Sequence, residues 1–225
     1  MFTRATGIGL AVAVLAAGGL ATAAVARSQS SDERSPVAGQ PGANGPSTSI
    51  RPKAIDNVPA LEPAQVSYQQ QNWGDPKTEL GIVIQAPTGW TKVKLSTFEA
   101  KFTSSNGLWN LRVNGVPKAQ QTKTAADAKY ALISSSAEGF ELVSRESGTT
   151  RATNPAFAGV IFHHRTLTYT YNDPKRGRRL VIDRFVSADN SPHMLFELST
   201  GGRPQDAAGL AAITTKATED FIRLP

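Results

Sequence analysis

The feature that most constrains this chain is the apolar run Gly81-Ile82-Val83-Ile84-Gln85-Ala86-Pro87, followed by Thr88-Gly89-Trp90. Three consecutive β-branched residues in a run too short for a helix and closed by turn residues read as a strand. Pro87 ends it, because a proline has no N–H for a central ladder and its ring pushes Ala86 into an extended conformation. Gly89 supplies any positive-φ position that the turn requires. Trp90 then arrives beside the start of a sheet, where it reads as a core plug, with ligand stacking as the alternative.

Everything before residue 61 reads as delivery apparatus. Arg4 and the amino terminus form a short positive region, residues 8–25 are uncharged and apolar, and Ala24-Val25-Ala26 before Arg27 has the small-x-small form of a signal-peptidase site, with Ala24 and Ala26 as the recognition positions. The run is long enough to span a bilayer, yet its strong inserters favour insertion by only roughly 2 to 4 kcal/mol. Residues 1–26 are therefore a signal peptide or a signal anchor, and either leaves the rest of the chain outside the cytoplasm. Residues 27–60 are rich in Ser, Pro, Gly, Asn and Gln. Such a segment buries too little apolar surface to offset the entropy of ordering and is expected to be a disordered linker, its ends roughly 30 Å apart.

Cysteine is absent. That excludes disulfides, thiol nucleophiles, Cys-based zinc sites and anchoring through a lipidated cysteine. An exported domain at residues 61–225 must then be held by its core alone, which a length of about 160 residues allows.

Within that domain, residues 66–68, 98–103, 108–116 and 140–145 read as strands. Trp109, Leu111 and Val113 alternate with Asn110, Arg112 and Asn114, as in a half-buried antiparallel strand. A helix is expected over 125–137, with Thr124 and Asp127 as its cap and Ala125, Ala128, Leu132 and Ser136 as its packing stripe. Residues 160–171, 179–187 and 193–199 read as a meander of long strands. In the middle one Leu180, Ile182 and Val186 point one way and Val181 and Phe185 the other, so both faces require cover. A last helix over 205–222 places Leu210, Ile213, Ala217 and Phe221 on one stripe.

This succession resembles the PsbP-like fold, in the versions found in exported lipoproteins and membrane-tethered proteins of high-GC Gram-positive bacteria. The resemblance covers about residues 78–224 and rests on residues 81–90, 108–116, 157–171 and 217–224. It implies an α+β domain, an antiparallel sheet of about six strands sandwiched by helices, used for protein binding or scaffolding and without a catalytic centre. The chain departs from family patterns in carrying neither a kinase domain nor a lipobox.

Residues with chemical potential are scattered. His163 and His164 are neighbours on a strand and point to opposite faces, so a regular strand prevents them from sharing a metal. No Gly-x-Ser-x-Gly elbow, P-loop, dinucleotide fingerprint or His-Glu-x-x-His motif occurs, and no cofactor is implied. The densest charge is Lys175-Arg176-Gly177-Arg178-Arg179 at an expected hairpin tip, which makes Lys175, Arg176, Arg178 and Arg179 the candidate contact with an anionic envelope surface or an envelope protein. The alternative is a solvated turn that protects the strand ends. The net charge of +6 permits nucleic acid, but an exported chain meets little of it and no aromatic interleaves the basic run. The expected function is a non-catalytic, membrane-tethered binding or scaffold domain. The alternative is an envelope hydrolase or small-ligand carrier, with Tyr169, Tyr171 and His164 at a pocket between sheet and helix.

Overall fold

A computed structural model describes residues 57–116, 118–189, 191 and 193–224. The hydrophobic segment with Ala24 and Ala26, and linker residues 27–56, lie outside the described residues. The strands are β1 (Tyr68–Gly74), β2 (Gly81–Pro87), β3 (Thr91–Lys94), β4 (Glu99–Thr103), β5 (Asn110–Asn114), β6 (Lys118–Gln121), β7 (Glu141–Arg151), β8 (Ile161–Asp173), β9 (Gly177–Ala188), β10 (His193–Met194), β11 (Phe196–Gly202) and β12 (Ile222–Leu224). Helix α1 (Thr122–Ser136) lies between β6 and β7, and α2 (Ala207–Glu219) between β11 and β12. The class is α+β and the sheets are antiparallel: one in the order β3-β4-β5-β11-β9-β8-β7, a second in the order β1-β2-β12, and the ribbon β10-β6.

The strand that organises the sequence is the middle member of the second sheet, flanked by β1 and β12. Ile82 and Ile84 are fully buried and Val83 nearly so, which is why its run is apolar without alternation. Gly89 adopts φ 77°, the positive value expected of the turn.

β9 sorts its side chains as the alternation requires. Leu180, Ile182 and Val186 join one core with Ile82, Ile84, Leu210, Ile213 and Phe221, whereas Phe185 joins a second with Ala125, Ala126, Leu167, Tyr169 and Met194. The large sheet is thus covered on one face by α2 and the second sheet, and on the other by α1. Phe221 stacks on Phe196 with centroids 3.7 Å apart, and Phe196 meets Phe162 edge-on at 5.6 Å. Burial of Leu210, Ile213 and Phe221 contributes roughly 5 to 8 kcal/mol.

Several boundaries differ from expectation. The main sheet has seven strands rather than about six, because the four exposed residues of β3 carry no apolar alternation to betray them. α2 stops at Glu219, and Ile222 to Leu224 pair with the free edge of β2 instead of continuing the helix. α1 starts at Thr122 on Gln121, so Thr124 is not its cap, and Asp127 binds Lys123 and Arg145. Its buried face is Ala125 and Ala126, with Tyr130 and Ile133 packed alongside, whereas Leu132 is exposed. Trp73, absent from the expected core, is buried edge-on against Phe102.

Residues 58–61 belong to the folded domain. The buried Asp206 carboxylate accepts Leu61 N–H through Oδ1 at 3.0 Å and the Arg203 amide and Nε through Oδ2 at 2.7 and 3.0 Å. Arg203 in turn donates to the carbonyls of Val58 and Pro59, both at 2.8 Å. Residues 58–61 are thereby clamped to the turn that starts α2. A side chain at Gly209 would overlap the Leu61 carbonyl, so the close crossing at this point requires glycine.

Candidate functional site

Strand register places three rows of side chains on the α1 face of the large sheet. They run Thr103-Asn110-Gly201-Val181-Tyr169, Lys101-Arg112-Ser199-Asp183-Leu167 and Glu99-Asn114-Glu197-Phe185-Arg165. α1 packs over β8 and β9, where these rows are mainly apolar. Over β4, β5 and β11 the same rows, apart from the buried Gly201, are polar and half-buried or exposed, while alternate residues of those strands, such as Phe102, Leu111, Val113 and Leu198, are buried on the opposite face. Half of the face is therefore a polar floor beside the wall of α1. On it Arg112 donates through Nε to Glu99 Oε1 at 2.5 Å, and Val93 is exposed beside Lys101 at the sheet edge.

Where floor meets wall, Lys129 of α1 brings Asp183 and Glu197 together, its Nζ 3.7 Å from Asp183 Oδ2 and 3.8 Å from Glu197 Oε1. Lys118 approaches Glu197 Oε2 at 3.6 Å, and Tyr169 donates its hydroxyl to Asp183 Oδ2 at 3.0 Å. Burial, reinforced by the Asp183 charge and this hydrogen bond, pushes the Tyr169 phenol far up, so it acts as a fixed donor. Asp183 is wholly buried, and its Oδ1 has no hydrogen-bond partner among the described residues. In the sequence Asp183 and Glu197 stand among scattered carboxylates, any two of which could meet as a hydrolase pair, and either could complete a metal site with His193 and one of His163 and His164. Their positions on adjacent strands emerge only from the register.

Of the hairpin cations expected as a contact, three are engaged or buried within the domain. Arg176 is tied to Asp173 at 2.8 Å, and burial, which alone would raise the Asp173 carboxyl, is outweighed by hydrogen bonds from Arg176 and the Lys175 amide that hold it low. Arg178 pairs with Glu141 at 2.5 Å and also donates to Gly139 O. Arg179 is 2 % exposed, on the inward side of β9, and burial pushes its guanidinium pKa down. Among the described residues neither Lys175 nor Arg179 has an ion pair, and of these two only Lys175 is exposed.

The pocket expected from Tyr169, Tyr171 and His164 is also divided. The two tyrosines lie on the α1 face, with ring centroids 6.4 Å apart, and His164 faces the α2 side, where it meets Thr150 and Thr166. His163 points the other way, opposite Thr149. His193 Nδ1 lies 2.7 Å from the Ala119 carbonyl, in a shallow cleft of about 310 Å³ that Lys118 and Leu195 also line. Among the described residues no three His, Asp or Glu side chains are placed to hold one metal ion, and no helix is long and apolar enough to cross a membrane.

No protein-family model matches the chain, and no curated protein matches it. Matching solved structures include the Ran-binding protein Mog1p of Saccharomyces cerevisiae, with TM-score 0.40 and 8% identity over 69% of this chain and 96% of that one. Another is PA94 of Pseudomonas aeruginosa, a protein of unknown function, with TM-score 0.37 and 11% identity over 70% and 99% of the two chains.

Proposed function

We propose that this chain is an exported, membrane-tethered, non-catalytic binding or scaffold protein of a cell envelope, with a PsbP-like domain as its binding module. In this reading residues 1–26 anchor the chain or are removed after Ala26, and the following linker carries the domain away from the membrane surface. The observation that carries the proposal is the open polar half of the sheet floor, with Lys101, Thr103, Asn110, Arg112, Asn114 and Ser199 standing beside α1. A broad face of half-buried amides, hydroxyls and a preset ion pair suits a protein partner better than it suits a small molecule, which needs concavity.

Area fixes the expected strength. Three strands about 4.8 Å apart and three rows about 7 Å apart give a floor of roughly 300 Å². A stable complex buries about 800 Å² on each side, so the partner must also reach the α1 wall, and the contact is a weak one made effective by tethering. The test is the native size of the full chain in a detergent-solubilised envelope extract, compared with Thr103→Trp and Lys101→Glu variants. The proposal expects a larger species that collapses to the free chain in both variants. An unchanged species in both would overturn it.

The convergence of Asp183 and Glu197 on Lys129 favours one second reading, an envelope hydrolase or small-ligand carrier. That reading requires Asp183→Asn to abolish a hydrolytic or ligand-binding signal while the unfolding transition stays in place.

A further inference from the structure

Beyond the footprint of α1, the same sheet face carries a second feature, on the outer end of the β7–β8 ribbon. Arg165 and His163 are two residues apart on β8 and share this face, as the Arg165 hydrogen bond to Ser147 and the pairing of His163 with Thr149 establish. Arg151 follows on β7, opposite Ile161, one row further out. All three are exposed, and none has an ion pair among the described residues. Ser147 and Thr149 stand on β7 opposite Arg165 and His163, and lead along that strand to Arg151.

The other charged groups around the strip are accounted for. Arg145, at its inner end, is held by Asp127 and lies over the Tyr130 ring, 5.0 Å from its centroid. Asp189, the carboxylate at its outer end, accepts the Ile161 amide through Oδ1 at 3.2 Å. Glu146 is on the opposite face, since it is paired with Thr166.

We propose that this strip is a docking surface for a linear phosphodiester polymer without bases, of the poly(glycerol phosphate) kind. Successive rows on one strand face are about 7 Å apart, so Arg165 and His163 on β8 and, one row further and one strand over, Arg151 on β7 present donors in a slanted row along which a polyanionic chain can lie. Arginine matches a phosphate with a planar fork of donors, and the hydroxyls beside the cations supply further hydrogen bonds to phosphate oxygens. Binding of single-stranded nucleic acid relies on aromatic side chains that stack bases. The aromatic paired with Arg165, Phe185, is 2 % exposed, so the strip offers the phosphate contacts without the stacking platform. The proposal rests on the exported reading above, because a base-free polymer of this kind is met outside the cytoplasm.

The test is titration of the full chain at pH 7.5 with fluorescent poly(glycerol phosphate), an oligothymidylate of equal charge, phosphatidylglycerol vesicles and neutral dextran. Binding of the first probe should weaken with salt at a logarithmic slope of about −1.4, for two phosphates neutralised on a single chain. The Arg151→Gln/Arg165→Gln double variant should lose about 10- to 30-fold in affinity, at about fivefold for each cation near an anionic surface. A Lys175→Gln/Arg176→Gln variant at the hairpin tip should change by less than about twofold, since Arg176 is already paired. Equal loss in both double variants, no loss in the strip variant, or oligothymidylate or vesicles bound as tightly as the polymer would overturn the proposal. Unfolding transitions of each variant separate lost binding from lost fold. The assay reads the strip in solution, so its failure is distinct from failure of the open-floor reading, which is scored by native size in the extract.

Discussion

Replacing Asp206 by alanine should be among the most damaging single changes in the domain. The carboxylate is fully buried and accepts four donors: Leu61 N, Arg203 N, Arg203 Nε and Arg203 Nη2. Its removal strands a guanidinium that is itself only 7 % exposed and frees the amide of Leu61. Breaking one side of a buried pair costs about 3 to 5 kcal/mol, because the surviving charge stays buried without its counter-charge. Replacing both partners, as Arg203→Met with Asp206→Leu, removes the charge conflict and should recover about half of that loss. Urea unfolding followed by tryptophan fluorescence supplies the midpoints, and limited proteolysis reports whether residues 58–61 detach. A loss below about 1 kcal/mol for Asp206→Ala, or a double variant worse than either single one, would refute the reasoning.

Further outcomes follow from other contacts. Burial, the charge of Arg184 and that of His163 lower His164 from 6.5 to about 4 in the fold. The neutral form is thus favoured by folding, and its stabilisation, complete above pH 6.5, is lost as pH falls towards 4. With the partial exposure of the ring discounted, that is about 1 to 2 kcal/mol, and a His164→Gln variant should show a flatter stability profile over that interval in chemical denaturation. Phe221→Ala, which removes the ring stacked on Phe196, should cost about 3 to 5 kcal/mol in the same assay, and a smaller effect than Leu132→Ala would contradict the assignment of the α2 core. Arg179→Met keeps the buried stem and removes a desolvated charge, so it should alter stability by less than about 1 kcal/mol, whereas a large loss would reveal a required charge contact.

Residues whose role is decided by their neighbours along the chain were legible in the sequence. The apolar run of β2, the two-sided alternation of β9 and the helical stripe Leu210-Ile213-Ala217 lie where the pattern puts them, and Phe221, two residues past the end of α2, is fully buried with that stripe. Elements that exist because a partner strand offers a free edge were not legible. β3 has no buried residue, and β12 follows a helical pattern until pairing with β2 captures it. The hairpin cations show both cases. Asp173 stands three residues before Arg176 and could have signalled that pair, and the parity of Arg179 with Val181 and Phe185 marked it as inward. The partner of Arg178, however, lies 37 residues away on β7. The floor cluster of Asp183, Glu197 and Lys129 required a register and a helix position that no local pattern encodes.

The central claim, that the open half of the sheet floor is where this domain meets its partner, is tested most directly by photo-crosslinking in intact cells. A photoreactive side chain would be placed in the full chain at Lys101, Thr103 or Asn114 on the floor, at Lys175 on the hairpin tip, and at Glu62 on the opposite side of the clamp. The account predicts one shared adduct from the three floor positions and none from the other two. Adducts from Lys175 or Glu62 alone, or the same adduct from all five positions, would contradict it.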